Sequence, residues 1–212
     1  MSPDLLKNEI ALFMQRLYRQ GLTTTSGGNI SALTDDGLML ITPSASDKGR
    51  MCGDEIGCMD MDGKIVGKDF KPSIEGRMHL EIYKTRKDIK AIVHAHPITA
   101  SAFASGTAEI NTRFLAESYA ILGNIGYAPY CTMGTLELAQ AVAETAKTAD
   151  CIIMRNHGAL TVGSNLLQAF DRLEVLEAAA KITLLNRGIL ADASVELTAM
   201  KLAEIDVLMN RP

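Results

Sequence analysis

The sequence predicts a single α/β domain over residues 1–212, with a central, mainly antiparallel sheet and helices on both faces. Three observations point there. Two strand-turn-strand signals occupy the first third of the chain, and apolar strand-like runs recur later in "KAIVHAHP", "CIIMRNHG" and "ALTVG". Amphipathic helical periods precede, separate and follow these runs, with no linker, repeat or low-complexity segment between them. With 212 residues, 47% of them hydrophobic, the chain can bury one sizeable core.

The first element, "SPDLLKNEIALFMQRLYRQG", reads as a helix: Ser2 is placed to cap it, Pro3 opens it, Leu6, Ile10, Phe13 and Leu17 form one apolar face, and Gly21 ends it. "NISAL" and "LMLIT" then form a hairpin about Asp35, Asp36 and Gly37, and "IGCMDMDGKIVG" forms a second about Asp62 and Gly63. From Ser73 to about Arg86, Ile74, Met78 and Ile82 fall at i, i+4 and i+8, the spacing of a helix that tolerates Gly76. "KAIVHAHP" is a buried strand closed by Pro97. "TLELAQAVAETAKTA" is a helix capped by Thr135, with Glu137 in the first turn where the helix dipole favours an acid. "CIIMRNHG" and "ALTVG" are strands around a turn, a long helix runs from an Asn165 cap to Gly188, and "SVELTAMKLAEIDVLMN" supplies the last one.

Composition narrows the function. The 21 basic and 25 acidic residues are spread along the chain, so no footprint for nucleic acid is present. The longest uncharged stretches carry His, Pro, Asn and hydroxyl groups unsuited to hydrocarbon, which argues against a membrane partner. Cys52, Cys58, Cys131 and Cys151 include no C-x-x-C pair and read as free thiols. With no export signal visible at the N-terminus, the expected location is the cytoplasm.

Two of the four histidines, His94 and His96, stand two apart in "VHAHP". Strand side chains alternate faces, so both imidazoles point the same way. That arrangement suits two metal ligands and equally suits a packed, hydrogen-bonded pair. His157, in the turn "RNHGAL", is the third candidate donor; three histidines would leave one position open, as in catalytic metal sites. Spacing does not fix which carboxylate joins them. His79 has no second histidine at i+4 and reads as a structural or supporting residue. "TSGGNIS" and "PSIE" offer backbone N–H groups beside hydroxyls, an anion site or simply structural caps.

Taken in order, "TSGGNIS", "ITPS", "KPSIE", "VHAHP", "APY" with "GTLELA", and "NHGAL" resemble the class II aldolase/adducin family, most closely its fuculose-phosphate aldolase branch. The resemblance implies a homotetramer with active sites between subunits and one divalent ion, zinc first. It places the metal on His94, His96 and His157, with Glu75 touching the metal and acting catalytically. Phosphate binding falls on Gly28 and Asn29, on Ser44 with Ala45, and on Ser73 with Ile74. Two positions depart from the branch: Ala45 stands where Gly is usual, and Ile74, unable to donate a hydrogen bond, stands where a second Ser is usual. For the second acid/base group, contributed by a neighbouring subunit, the resemblance offers Glu117 and Tyr119. The implied activity is metal-dependent retro-aldol cleavage of a sugar phosphate, L-fuculose 1-phosphate giving dihydroxyacetone phosphate and L-lactaldehyde. Alternatives are a related enzyme on another sugar phosphate (a deoxyribulose- or methylthioribulose-phosphate aldolase, a dehydratase, a 4-epimerase or a decarboxylase) and a non-catalytic adducin-like scaffold.

Overall fold

The computed structural model describes residues 2–190 and 193–211. Helix α1 (Pro3–Arg19) begins where the Ser2 hydroxyl accepts the Leu5 N–H, and the chain turns at Gly21 with φ +70°. Its predicted face is buried at Leu6, Ile10 and Leu17, joined by Ala11 and Met14; Phe13 packs at its edge.

Strands β1 (Asn29–Leu33) and β2 (Met39–Ile41) pair antiparallel, with Ser31 opposite Ile41. β3 (Gly57–Met59) adds to β2, but the second predicted hairpin returns only as one bridge from Met59 to Ile65. β4 (Ala91–Ala95), β5 (Ile125–Ala128), β6 (Cys151–Met154) and β7 (Gly158–Gly163) complete a seven-stranded sheet in the order β3-β2-β1-β4-β7-β6-β5. Every junction is antiparallel except β5–β6. That parallel pair needs a crossover, which α5 (Leu136–Thr145) provides.

Helices α2 (Gly76–Thr85) and α5 cover one face of the sheet, packing on Met39, Ile41, Ile92, Ile152 and Leu160. On the other face α1, α3 (Ile98–Ala104) and α6 (Leu166–Leu185) pack on Ile30, Leu40, Val93 and Ile153. Each such apolar side chain contributes roughly 1.5–3 kcal/mol by leaving water. The short α4 (Ala116–Leu122) lies against α6, and α7 (Ala199–Leu208) against α4. No helix among the described residues is long and apolar enough to cross a membrane.

Several boundaries differ from expectation. The helix predicted from Ser73 begins at Gly76, so Ile74 lies outside it and is 55% exposed, while Met78 and Ile82 remain buried. The long helix is regular only to Leu185 and continues as a π-helical turn, Asn186–Leu190. The last helix starts after a Thr198 cap, five residues later than "SVELT" suggests. The Thr135 and Asn165 caps are made as expected, accepting from Leu138 and Gln168. Three elements went unpredicted: α3, α4 and β5. α3 lacks a local side-chain cap; two N–H groups of its first turn, Thr99 and Ala100, donate to the buried carboxylate of Glu177 on α6, 3.1 and 2.8 Å away. A helix start satisfied by a residue 77 positions along the chain leaves no local signature.

Candidate active site

The site grows from the centre of the sheet. β4 is paired on both sides, with His94 opposite Asn29 on β1 and Leu160 on β7. His94 is fully buried, and its Nδ1 lies 2.9 Å from the Ala159 carbonyl. A carbonyl can only accept, so Nδ1 carries a proton and Nε2 is the ring atom turned toward the cleft. His96 lies one residue beyond β4, its ring 4.8 Å from that of His94. His157 enters from the turn between β6 and β7, where Asn156 takes φ +53°. A side chain at Gly158 would put its Cβ 2.7 Å from the His96 ring, so the third histidine needs a glycine after it. One ligand atom from each of His94, His96 and His157 lies within 4.8 Å of the others.

Glu75, at the N-terminus of α2, closes the group. Its Oε1 is 2.8 Å from His157 Nε2, its Oε2 is 3.2 Å from His94 Nε2, and the Asn29 amide donates to Oε2 at 2.7 Å. Burial alone would raise the Glu75 pKa, but His94 and His157 overcome it and hold the carboxyl well below its usual range. Burial would likewise lower the His94 pKa; Glu75 overcomes that and raises it. His96 is drawn down to about 4 by burial, with His94 and His157 adding to the effect, so it is neutral and able to ligate. His94 Nε2 is buried, with the Glu75 carboxylate as its polar neighbour at 3.2 Å. That nitrogen, oriented by the bond at Nδ1, two further imidazoles and a carboxylate suit a divalent ion.

A cleft of about 380 Å³ opens over this group. It is lined by Gly28, Asn29, Ser44, Ala45, Ser73 and Ile74, together with Glu75, His96 and His157; His94 lies behind them. Gly28 has φ +67°, and a Cβ there would come 2.7 Å from the His94 carbonyl. Ala45 adopts φ +52°, the left-handed conformation that glycine favours, despite its methyl group. Ile74 presents an apolar wall. His79 is buried with its Nδ1 2.7 Å from Ser31 Oγ, which also meets the Tyr83 hydroxyl. Burial, reinforced by His94, pulls its pKa down to about 3.

Two candidates are not brought into the cleft of the same chain. Glu117 is exposed in the first turn of α4. Tyr119 donates to Asp206 on α7 at 2.9 Å, with Arg211 over its ring, in a separate and larger cleft whose charges are largely paired: Arg86 and Arg172 with Asp150, and Arg211 with Asp206. The cleft over the histidines also holds residues that spacing did not single out, among them Lys48, Tyr130 and Met133. Lys48 lies four residues beyond Ser44 and carries no motif of its own.

The family model for the class II aldolase and adducin N-terminal domain matches residues 8–184. The chain belongs to the class II aldolase and adducin family. Among its relatives, the L-fuculose phosphate aldolase of Methanocaldococcus jannaschii is 38% identical over 85% of this chain and 96% of its own length. The 3-oxo-tetronate 4-phosphate decarboxylase of Haemophilus influenzae is 33% identical over 87% and 90%. The solved structure of an L-fuculose 1-phosphate aldolase superposes with a TM-score of 0.86 at 33% identity, covering 97% of this chain and 96% of that one. Aldolases and the decarboxylase alike are lyases, and the chain is a class II lyase.

Proposed function

We propose that the protein catalyses metal-dependent retro-aldol cleavage of a phosphorylated ketose, L-fuculose 1-phosphate first, releasing dihydroxyacetone phosphate and L-lactaldehyde. The observation that carries this is Glu75 set between two imidazoles of a three-histidine group, at one end of a cleft whose other end is hydroxyls and turn backbone. His94, His96 and His157 would hold the ion, zinc by preference for imidazole nitrogens with a position left open, and when bound it supplies Lewis acidity at the ketose oxygens.

Glu75 is the proton carrier. Its carboxylate is ionised and buried; in the aldol direction it removes a proton from the carbon beside the ketose carbonyl, and in the cleavage direction it first takes up the proton released from the substrate hydroxyl and then delivers it to that carbon. Asn29 orients it through Oε2. Gly28, Ser44, Ala45 and Ser73 receive the phosphate, and Ile74 bounds the sugar end without a hydrogen bond. A homotetramer completes the site, with α4 of a neighbouring subunit bringing the second proton-transfer group. Of the two candidates, Glu117 is exposed and unpartnered among the described residues, whereas the Tyr119 hydroxyl is engaged with Asp206. Glu117→Gln is therefore expected to depress kcat about 100-fold or more with little change in KM, and Tyr119→Phe to act chiefly on stability. The reverse ranking would assign the role to Tyr119.

Decarboxylation is a second reading, favoured by the Haemophilus influenzae relative. Loss of carbon dioxide from 3-oxo-tetronate 4-phosphate also leaves dihydroxyacetone phosphate, so that product alone does not separate the two reactions. The co-product does. The purified protein should be given each substrate before and after chelation, with aldehyde and carbon dioxide measured separately. Metal-dependent aldehyde release supports the aldolase; carbon dioxide release without aldehyde would replace it with the decarboxylase.

A further inference from the structure

Lys48 is the one charged group of the cleft that the proposed reaction leaves without a task. Its side chain is 1% exposed, yet it lines the cleft, where it is the only Lys or Arg among the described residues. Desolvating an isolated ammonium is costly, and buried lysines ordinarily meet a carboxylate. Lys48 meets none among the described residues. Glu55 acts on it only through space, its carboxylate accepting instead from the Cys52 N–H at 2.7 Å.

The ammonium donates to the Pro43 carbonyl at 2.7 Å and the Ser46 hydroxyl at 3.1 Å. Of its three N–H groups, one is left without a partner among the described residues. The two bonds anchor it to the turn that carries Ser44 and the left-handed Ala45, and that turn is bridged at Pro43 to Pro72, next to Ser73. The cleft thus has two electrical ends: Glu75 among the histidines, and a buried cation beneath a turn rich in hydroxyls.

We propose that Lys48 makes the cleft select a phosphorylated substrate: a dianionic phosphoryl group settles beside Ser44 and Ala45 and takes the remaining N–H of the Lys48 ammonium. The inference rests on the sugar-phosphate reading above and adds the residue that reads the charge. A charge-assisted bond is about twice as strong as the neutral hydroxyl and amide contacts around it.

The test is anion binding, separate from turnover. Full-length protein, stripped of metal by chelation so that no ion captures the probe, is titrated calorimetrically with inorganic phosphate and with sulfate. Wild type should bind both, and Lys48→Met should weaken both by about tenfold or more. A merely structural lysine that staples the turn could produce the same loss, so pH supplies the second readout. Burial lowers the Lys48 pKa to about 8, with Glu55 partly opposing the shift. Sulfate keeps its two charges throughout, so wild-type affinity should fall as pH rises through about 8 and the ammonium loses its proton. The other titratable side chains lining the cleft are Glu75, His96, His157, Tyr130 and Cys131. A Cys131→Ser background removes the thiol as a second source of charge.

Equal affinity in wild type and Lys48→Met overturns the proposal, as does wild-type sulfate affinity that is flat from about pH 7 to 9.5. If Lys48→Met fails to fold, the wild-type pH profile decides alone. Anion binding as expected with no cleavage of any ketose phosphate would sink the sugar-phosphate lyase and leave the anion site standing; no binding of either anion in wild type removes both.

Discussion

His94 reaches the cleft from a strand paired on both sides, whereas Ser44, Ala45 and Lys48 reach it from a turn tied to the rest of the fold by a bridge at Pro43 and by the Lys48 backbone N–H donating to the Thr25 carbonyl at 2.9 Å. The first end is an arrangement of side chains. Strand register sets which residues share a face, and the histidines follow from it. The second end is largely an arrangement of backbone, in which the residue types matter less than the dihedral angles they accept. A ligand site can therefore be rigid by pairing at one end and by conformation at the other, and substitutions should act differently on the two.

The sharpest separation comes from the histidines. His157→Ala should lower metal affinity by well over about 100-fold and take activity to background, with little loss of fold, read by metal content after dialysis. Retained stoichiometric metal would break the idea that this end is a set of ligands. Glu75→Gln should keep the metal and the fold but lower kcat by about 100- to 10,000-fold. Full turnover in that variant would reject its proton-carrying role.

Acid should expose the same end through stability. His79 is near pKa 3 when folded and near 6.5 when unfolded, so below about pH 6.5 the unfolded chain takes up a proton that the folded one refuses. Stability is thus fully present above pH 6.5 and falls as pH drops toward 3, by about 1.4 kcal/mol per pH unit for such a histidine. His96 adds to the loss down to about pH 4. His79→Asn, less stable at neutral pH, should lose less on acidification; urea midpoints across that range would show a parallel decline if His79 carries none of it.

The smallest effect is expected at the turn. Ala45 at φ +52° carries strain that glycine would not, so Ala45→Gly should stabilise the protein by up to about 1 kcal/mol in urea unfolding. A loss of stability would mean that the methyl group packs usefully, and the turn would be less purely a matter of backbone.

The same contrast explains what could be read in advance. Alternation placed His94 and His96 on one face, and Asn156 with Gly158 marked the turn that brings His157 to them. The hairpin at Gly37 and the caps Ser2, Thr135 and Asn165 were equally legible, because each is decided within four residues. Lys48 was not, since its importance lies in being buried, which no local pattern announces. Nor was α3, whose start is satisfied from α6 by Glu177. Ile74 shows the opposite error: it fitted a helical period with Met78 and Ile82, but the helix begins after it.

Asn29 joins the two ends, and its amide nitrogen has only two hydrogens to give. One goes to Ser73 Oγ at 3.0 Å and the other to Glu75 Oε2 at 2.7 Å. The donor is fully subscribed before any ligand arrives. A substitution at Asn29 therefore releases Ser73 and Glu75 together, so the two ends of the cleft cannot be varied independently at that position.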